Sequence, residues 1–173
     1  MSDERTLNLL GALALGLVDA LSVVVESNTG HGGESPAALV TLGVEPGISI
    51  NTLRQILNLS HPGTVRLVDR LEADGLVERH PGADGRAVAL FLTETGQKRR
   101  QTILAERRHQ LHLAFDCLTS TERKQLSHLL EKMLAAMITN ELKAYTICRL
   151  CEEEVCPGDR CPVEQNYPRG VST

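Results

Sequence analysis

Apolar residues recur through the first thirty positions in alternating steps of three and four residues. The recurring positions are Leu7, Leu10, Ala14, Leu17, Leu21 and Val24. This spacing is typical of a helix whose apolar seam pairs with another helix. Glycines and polar residues between positions 27 and 33 then break the pattern. We therefore predict a first helix over residues 4–27 that packs against a partner helix.

The same segment, Leu7 to Val25, raises the alternative of a membrane span or a signal peptide, since about 19 apolar residues suffice to cross a bilayer. Asp19 lies inside the run, where a carboxylate would be costly at bilayer depth. Residues 2–5 before it are net acidic, whereas a signal peptide begins with positive charge. The sequence therefore favours a cytoplasmic chain without a membrane partner, and the membrane span is kept as the alternative.

Serines at helix-capping positions divide residues 35–75 into three short helices. Pro36 follows the first serine, at a position where proline favours the start of a helix. The predicted N-caps are Ser35, Ser49 and Ser60, and the predicted helix ends are Gly43, about Leu57 and Gly75. The short connection between the second and third of these helices is typical of a helix-turn-helix.

The period of the pattern changes after Gly75. Residues 76–80 and 87–92 have the composition of short strands, and residues 81–85 between them are rich in proline, glycine and aspartate, as in a hairpin turn. A hairpin that directly follows a helix-turn-helix is a wing. We therefore predict a winged helix-turn-helix.

Two long helices are predicted after the hairpin. Thr93 caps the first, which runs to about Cys117. Thr119 and Glu122 form a capping box that opens the second, which runs to about Ile147. This last helix carries an apolar stripe that includes Leu126, Leu130, Met133 and Met137.

Neither this stripe nor the seam of the first helix has a partner within a winged helix alone, so we expect a two-fold homodimer to bury both. The predicted fold class is mainly α with a small β-hairpin wing, that is, a winged helix-turn-helix with long dimerisation helices. The predicted units are an N-terminal dimerisation helix (1–34), the winged helix-turn-helix DNA-binding domain (35–96), C-terminal dimerisation helices (97–147) and a cysteine-rich tail (148–173).

The helix from His61 to Asp74 has the two faces that a DNA-recognition helix needs. The inner face carries Val65, Leu67, Val68 and Leu71, and the outer face carries Pro62, Gly63, Arg66, Asp69, Arg70 and Ala73. Arg66 can reach a guanine or a phosphate, and the free N–H groups at the helix start can bind a phosphate. The alternative is that Arg66 and Arg70 are solvated arginines that pair with Asp69 or Asp74.

The hairpin tip supplies a second candidate contact. Arg86 beside Asp84 can place a guanidinium in a narrow minor groove, which attracts arginine. Asp84 can hold the loop by accepting backbone N–H bonds or by pairing with an arginine. The alternative is a plain solvent-exposed hairpin in which the aspartate and the glycines serve only the turn.

Three segments resemble the MarR family of bacterial winged-helix regulators, namely residues 57–79, Asp84-Gly85-Arg86 and residues 92–96. In the order of its elements the resemblance extends over about residues 4–145. It implies a homodimer held by the first and last helices, a pseudo-palindromic operator in double-stranded DNA, and repression relieved by a ligand, oxidation or a metal. The candidate DNA-binding residues are Ser60, His61, Pro62, Gly63, Thr64, Arg66 and Arg70 in the helix-turn-helix, with Asp84 and Arg86 in the wing.

The resemblance also implies a pocket for a small-molecule effector between the dimerisation helices and the winged part. Four histidines are candidates to line such a pocket, namely His31, His109, His112 and His128. Each of them is more often a surface or core residue, so no residue of the sequence identifies the effector.

The net charge of −4 excludes a uniformly basic protein that coats nucleic acid. Between Arg54 and Arg86 five arginines are balanced by five acids, so we expect modest non-specific affinity for DNA. The chain has no tryptophan, two tyrosines and two phenylalanines, which predicts a core of aliphatic side chains.

Four of the five cysteines, Cys148, Cys151, Cys156 and Cys161, lie within fourteen residues. Thiols stay reduced in the cytosol, so this cluster is more typical of a metal site than of a disulfide framework. Four thiolates can hold a tetrahedral Zn²⁺ ion or an iron–sulfur cluster. The alternatives are a redox pair that forms disulfides and a tail without function. Cys117 has apolar neighbours on a helix and is predicted to lie in the core.

These features predict a dimeric DNA-binding transcriptional regulator, specifically a repressor, that responds to a small ligand, a metal or redox state. No cofactor is expected beyond the zinc ion or iron–sulfur cluster of the tail. The alternative is a metal- or iron–sulfur-bearing module for protein interactions without DNA binding. An enzyme is not expected, because neither an acid/base pair nor a phosphate-binding loop accompanies the cysteines.

Overall fold

The computed structural model describes residues 3–30, 32–82, 88–156 and 159–166 of the chain. Within these ranges the helical periodicity of the sequence forms helices, and the turn-rich segment joins a two-stranded antiparallel sheet. The elements are α1 (Asp3–Thr29), α2 (Ser35–Val44), α3 (Ile50–Leu57), α4 (His61–Ala73), β1 (Val77–Pro81), β2 (Val88–Leu92), α5 (Glu94–Phe115), α6 (Ser120–Met137) and α7 (Glu141–Cys148). The predicted fold class, mainly α with a small hairpin, is confirmed.

Side chains that accept hydrogen bonds start several helices at the predicted residues. The hydroxyls of Ser49, Ser60 and Thr93 each accept a bond from the backbone N–H three residues along, which caps α3, α4 and α5. The capping box of α6 is also present, since the Glu122 carboxylate accepts from the backbone N–H of Thr119 at 2.8 Å. Hydrogen bonds from the side chain and then the backbone of Thr119 lower the pKa of Glu122.

The start of α2 differs from the prediction. Ser35 is the first helical residue rather than the N-cap, which is Glu34, and no side chain caps this end of the helix. All residues from Ser35 to Leu42 are buried, so α2 is the central helix of the core. Tertiary packing on every side, rather than a capping side chain, therefore stabilises the first turn of α2.

The last predicted helix, expected to reach about Ile147, is divided in two. α6 ends at Met137, Ile138 is extended, and Asn140 caps α7 by accepting from the backbone N–H of Lys143 at 2.8 Å. This break lets Ile138 and Ile147 pack against the same small core at the end of the chain. The helix does not continue because Asn140 caps a new helix and because the break allows both isoleucines to be buried.

The main core lies between α2, α3, α4, α5 and the hairpin. Its largest fully buried side chains are aliphatic, as the scarcity of aromatic residues predicts: Leu39, Leu42, Leu53, Leu71, Leu76, Leu90 and Ile103. α1 packs along α5 and reaches this core only with its C-terminal half, where Val25 is buried. The winged part therefore has a core of its own, to which α1 adds an edge.

β1 and β2 pair in a register that places Val77 opposite Leu92. The segment before α3 adds to this sheet in a way that the sequence did not predict. The N–H of Gly47 donates to the carbonyl of Leu90 at 2.8 Å, and the N–H of Leu90 donates to the carbonyl of Ile48 at 3.0 Å. These bonds fasten the start of α3 to the hairpin, so the helix-turn-helix and the wing form one unit.

Candidate nucleic-acid interface

α3 and α4 are joined by residues 58–60 and form the predicted helix-turn-helix. Asn58 has a left-handed backbone with φ of 53°, and its N–H bonds back to carbonyls in the last turn of α3. Asparagine tolerates this conformation better than most residues. Ser60 then caps α4. This sharp turn positions α4 so that one of its faces packs on the core while the other points outward.

α4 has one buried and one exposed face, as its periodicity predicts. Leu67, Val68 and Leu71 are buried in the main core, and Val65 is half-buried. The exposed side, with Gly63 half-buried at its edge, carries Ser60, His61, Pro62, Arg66, Asp69, Arg70 and Ala73. α4 therefore presents to solvent a face with two arginines and an open helix start.

Thr64 does not belong to this exposed face. Its side chain is fully buried, and its hydroxyl donates to the backbone carbonyl of Ser60 at 3.1 Å. The prediction that Thr64 contacts DNA is therefore wrong for its side chain, because the side chain points into the domain. The hydroxyl of Ser60 is engaged as well, since it accepts from the N–H of Gly63 at 3.2 Å. Both residues fix the first turn of α4.

The acidic residues of α4 are paired with an arginine of the hairpin. Arg79 on β1 binds Asp69 at 2.6 Å through Nη2 and Glu72 through Nη1. In the described part of the chain, no ion pair involves Arg66 or Arg70. Asp69 is therefore engaged by Arg79, and the two arginines of α4 remain free to bind an external anion.

Arg79 is a functional candidate that sequence analysis missed. Successive residues of a strand point to opposite sides of the sheet, so Arg79 lies on the same side as the buried Val77. That side faces α4, which carries Asp69 and Glu72. Side chains along β1 point alternately to the two sides of the sheet, and this alternation is the sequence signal that would have placed Arg79 beside the recognition helix.

The two predicted wing contacts, Asp84 and Arg86, lie outside the described residues. The described part of the wing consists of β1 and β2. His80 on β1 packs edge-on against Phe91 on β2, with ring centroids 5.1 Å apart. This contact joins the two strands on the side of the hairpin opposite to Arg79.

A sequence model described as MarR family matches residues 34–87, from the start of α2 to the wing. The transcriptional repressor MprA of Escherichia coli (strain K12) is 32% identical over 103 residues, which are 58% of this chain and 58% of MprA. The uncharacterized HTH-type transcriptional regulator YybA of Bacillus subtilis is 27% identical over 96 residues, which are 55% of this chain and 64% of YybA. Over its central part the chain is thus similar to MarR-family regulators.

Solved structures of MarR-family regulators have the same fold. MepR of Staphylococcus aureus, a regulator of the multidrug efflux pump MepA, aligns with a TM-score of 0.66 at 20% identity, covering 75% of this chain and 96% of MepR. MarR of E. coli aligns with a TM-score of 0.61 at 24% identity, covering 72% of this chain and 96% of MarR. The winged-helix architecture is thereby confirmed, and the match to MprA extends over 58% of that protein's length.

The chain exposes two apolar helices. Residues 3–16 of α1 are all exposed, and α6, which is described in full, buries none of its side chains. The large exposed apolar residues are Leu7, Leu9, Leu10, Leu13, Leu15, Val18 and Val23 on α1 and Leu129, Leu130, Met133 and Met137 on α6. Apolar surface of this extent marks an interaction site. By length and composition alone, α1 would also suffice to cross a membrane.

A cavity of about 310 Å³ lies where α1, α2 and α5 meet the segment after α7. Its apolar lining includes Val18, Leu21, Val25, Pro36, Ala37, Ile103 and Leu150, and its charged groups are Glu26, Glu34, Arg107 and Arg149. The described histidines considered as candidates, His109, His112 and His128, do not line this cavity, and His31 lies outside the described residues. Its two arginines supply donors for the anionic group of a ligand with an apolar body, and its two glutamates supply acceptors.

The tail cysteines gather at the end of α7. Cys148 and Cys161 are buried in a second small core with Ala144 and Val163, and the half-buried Cys151 packs against it. Three of the four cysteines therefore contact one apolar cluster, although they belong to different turns of the chain.

Cys156 is exposed but contacts the same group of thiols. Partial burial, followed by the charge and hydrogen bond of Cys161 and the charges of Cys151 and Glu164, raises the pKa of the Cys156 thiol to about 11. Among the residues that the structure describes, no three cysteine, histidine or acidic side chains lie close enough together to hold a metal ion. The tail cysteines are thus neighbours, but they do not form a ready-made metal site.

Cys117 is not a core residue, so that prediction was wrong. It is exposed and lies beyond the end of α5 at Phe115, and its Sγ donates to the carbonyl of Ala114 at 3.4 Å. Because α5 ends before this position, the helical face on which the prediction rested does not include Cys117.

Proposed function

We propose that this chain is a sequence-specific DNA-binding transcriptional regulator of the cytoplasm, without a catalytic role. One observation carries the proposal: Arg66 and Arg70 lie on the exposed face of α4 without ion-pair partners among the described residues. At the same time Arg79 neutralises Asp69 and Glu72. Residues 54–86 carry equal numbers of arginines and acids. Because Arg79 pairs with two of these acids, the outward face of α4 keeps unpaired positive charge, which suits binding to a polyanion such as DNA.

In this proposal α4 enters the major groove of double-stranded DNA. Arg66, at the middle of the exposed face, donates to a guanine edge, and Arg70, one turn further along, donates to a phosphate. The exposed start of α4 at His61 offers backbone N–H groups and the positive end of the helix dipole to another phosphate. Arg86 in the wing, proposed from the sequence alone, reaches the adjacent minor groove.

The regulator is proposed to bind as a homodimer. A second copy fits the exposed faces of α1 and α6 because a two-fold axis buries both faces of both chains at once. Two copies of α4 then lie about 34 Å apart, one turn of DNA, and read a pseudo-palindrome. A membrane would bury α1 alone and leave the apolar face of α6 in water, which is why the dimer is favoured.

Repression is the proposed direction of regulation. The curated relative MprA is named a transcriptional repressor. A dimer bound across one turn of promoter DNA occupies the groove that other proteins need. The second candidate function is a protein-interaction module without DNA binding, which the exposed apolar helices alone would also suit.

DNA binding by the purified protein tests the proposal. Bound duplexes are selected from a random double-stranded pool, and the enriched sequence is titrated by fluorescence anisotropy at several salt concentrations. We expect a pseudo-palindromic consensus and an affinity that falls as salt rises. If no duplex is enriched and no complex forms at low salt, the interaction module replaces the regulator as the better interpretation.

Replacement of Arg79 by alanine is expected to weaken DNA binding about tenfold at low salt. The physical reason is that Asp69 and Glu72 lose their partner and then repel the phosphates next to α4. Anisotropy titrations of R79A against the selected duplex measure the loss.

The triple variant R79A/D69N/E72Q is the matched control, because it removes the two carboxylates together with the arginine. We expect it to recover most of the affinity lost by R79A. If R79A binds DNA like the parent, or if the triple variant stays as weak as R79A, charge neutralisation is not the role of Arg79.

The proposed effector is an aromatic carboxylate. The cavity of about 310 Å³ offers an apolar wall for the ring, and Arg107 and Arg149 offer donors to the carboxylate. A solved structure of the MarR-family protein Rv2887 of Mycobacterium tuberculosis, 22% identical to this chain, is a complex with p-aminosalicylic acid. Such a ligand wedged between α1 and the winged part shifts the two recognition helices relative to each other and so releases DNA.

Replacement of Arg107 by alanine is expected to weaken binding of p-aminosalicylate about tenfold or more, because a charge-assisted hydrogen bond is lost. Isothermal titration calorimetry measures the affinity. Lys124→Ala on the exposed side of α6 makes the same change in charge away from the cavity and should bind like the parent. Equal affinities of R107A and the parent would place the ligand elsewhere.

A further inference from the structure

We propose that Cys148, Cys151, Cys156 and Cys161 together bind one Zn²⁺ ion, and that this ion holds the wall of the effector cavity in place. The cysteines are already brought together, since Cys148, Cys151 and Cys161 contact the small core at the end of α7 and the Cys156 thiol lies near Cys161. As described, no three of them surround one point. Binding therefore has to close neighbouring thiols around the ion.

Tight turns make this closure a local movement. The N–H of Cys151 donates to the carbonyl of Cys148 at 2.8 Å, and the N–H of Cys156 donates to the carbonyl of Glu153 at 3.0 Å. A further turn begins at Cys161, whose carbonyl accepts from the N–H of Gln165 at 3.0 Å. Each cysteine thus lies at the end of a short turn, where a side-chain rotation moves the sulfur without unfolding the segment.

The spacing of the sulfurs favours a single ion over a cluster. In a tetrahedral site with Zn–S bonds of about 2.3 Å, adjacent sulfurs lie roughly 3.8 Å apart. Cys156 and Cys161 lie close enough together for the charge of one thiol to act on the other. An iron–sulfur cluster would instead have to fit its inorganic core between those two sulfurs. The proximity of these thiols therefore points to zinc.

The chemistry of binding is an exchange of protons for a metal. Each of the four thiols releases its proton to the solvent, and the four thiolates donate electron pairs to the same ion. No electrons are transferred, so binding requires neither an oxidant nor a reductant. The cation compensates the negative charge of the four thiolates.

The loop between the first two ligands connects the site to the rest of the regulator. Arg149 and Leu150 lie between Cys148 and Cys151, and both line the effector cavity. Leu150 also packs against the main core of the winged part. Directly after the second ligand, Glu152 forms an ion pair of 2.9 Å with an arginine of α5. An ion that fixes both cysteines therefore fixes the residues between them, which form one wall of the cavity.

Metal content and cobalt spectra of the full-length protein test the site. Protein purified without chelators is expected to contain about one zinc per chain by elemental analysis. After exchange, Co²⁺ is expected to give the sulfur-to-metal charge-transfer and visible bands of a tetrahedral thiolate complex. Cys156→Ser should lose both signals, and because Cys156 is exposed, this change leaves the small core intact. Cys161→Ser, checked for folding by circular dichroism, should lose them as well.

Cys117→Ser is the matched control, since this exposed cysteine lies outside the tail and should leave metal content unchanged. Three outcomes would overturn the zinc site. They are iron with inorganic sulfide in the protein, a mass loss of two hydrogens per cysteine pair without metal, and equal metal binding by the parent and by Cys156→Ser.

The link to the cavity rests on the effector proposed above, and it is tested separately. Removal of the zinc by a chelator is expected to weaken p-aminosalicylate binding about fivefold or more, and added Zn²⁺ should restore it. If the ligand binds equally with and without zinc, the site exists but does not support the cavity. If the ligand never binds, the effector proposal fails while the metal content and the cobalt spectrum still decide the zinc site.

Discussion

Leu10→Glu is expected to convert the proposed dimer to a monomer and to lower the affinity for a palindromic operator at least about a hundredfold. Leu10 lies on the apolar seam of α1 and is exposed in the single chain. In a two-fold dimer each chain would bring one carboxylate into the apolar contact, and neither would have a partner. A monomer contacts one half-site only, so it loses the gain from binding both half-sites together.

Size-exclusion chromatography with light scattering measures the mass of L10E, and anisotropy measures its DNA affinity. Asn8→Glu is the matched control, because it adds the same charge to the same exposed helix on the side opposite the seam. We expect N8E to remain a dimer with full affinity. A dimeric L10E with unchanged DNA binding would remove α1 from the interface, and recovery of the parent protein in membrane fractions would favour the membrane span instead.

Arg66→Ala is expected to weaken binding to the selected operator about tenfold to a hundredfold and to relax the preference at one base pair of each half-site. Arg66 lies in the middle of the exposed face of α4 and, among the described residues, has no ion-pair partner to leave unpaired. The variant therefore reports the contact with DNA rather than a change in the fold. Repeating the selection with R66A measures affinity and base preference in one experiment.

Arg5→Ala makes the same change in net charge at the exposed start of α1 and should leave the operator preference unchanged. The pattern of loss distinguishes a base contact from a phosphate contact. If R66A weakens all duplexes equally and only reduces the salt dependence, Arg66 binds a phosphate. If R66A binds the operator as tightly as the parent, α4 does not lie in the groove as proposed.

Local interactions were predicted well because they depend on near neighbours in the chain. Ser49, Ser60, Thr93 and Thr119 cap helices at the predicted positions, since each cap needs only an N–H three residues away. The buried and exposed faces of α4 follow from its helical period in the same way. The one residue of α4 misplaced among the candidate contacts is Thr64, whose hydroxyl donates to the backbone carbonyl of Ser60 and can therefore be buried.

Boundaries set by burial could not be read from the same signals. Ser35 resembles an N-cap, yet it is buried inside α2 because this helix is packed on all sides. The apolar residues on both sides of Asn140 continue the helical stripe, so the pattern does not reveal that Ile138 turns into a second core. In both places tertiary packing outweighs a local preference.

The order of the elements, the helix starts and the two faces of the recognition helix follow from this chain's sequence, because hydrogen bonds and periodicity act over a few residues. The electrostatics of α4 depend instead on Arg79, which reaches Asp69 and Glu72 only once the hairpin has folded beside α4. Likewise, spacing alone made the tail cysteines a candidate site, but folding placed Arg149 and Leu150, between two of them, in the wall of a cavity. Contacts between residues far apart in the chain arise from packing, and no local pattern encodes them.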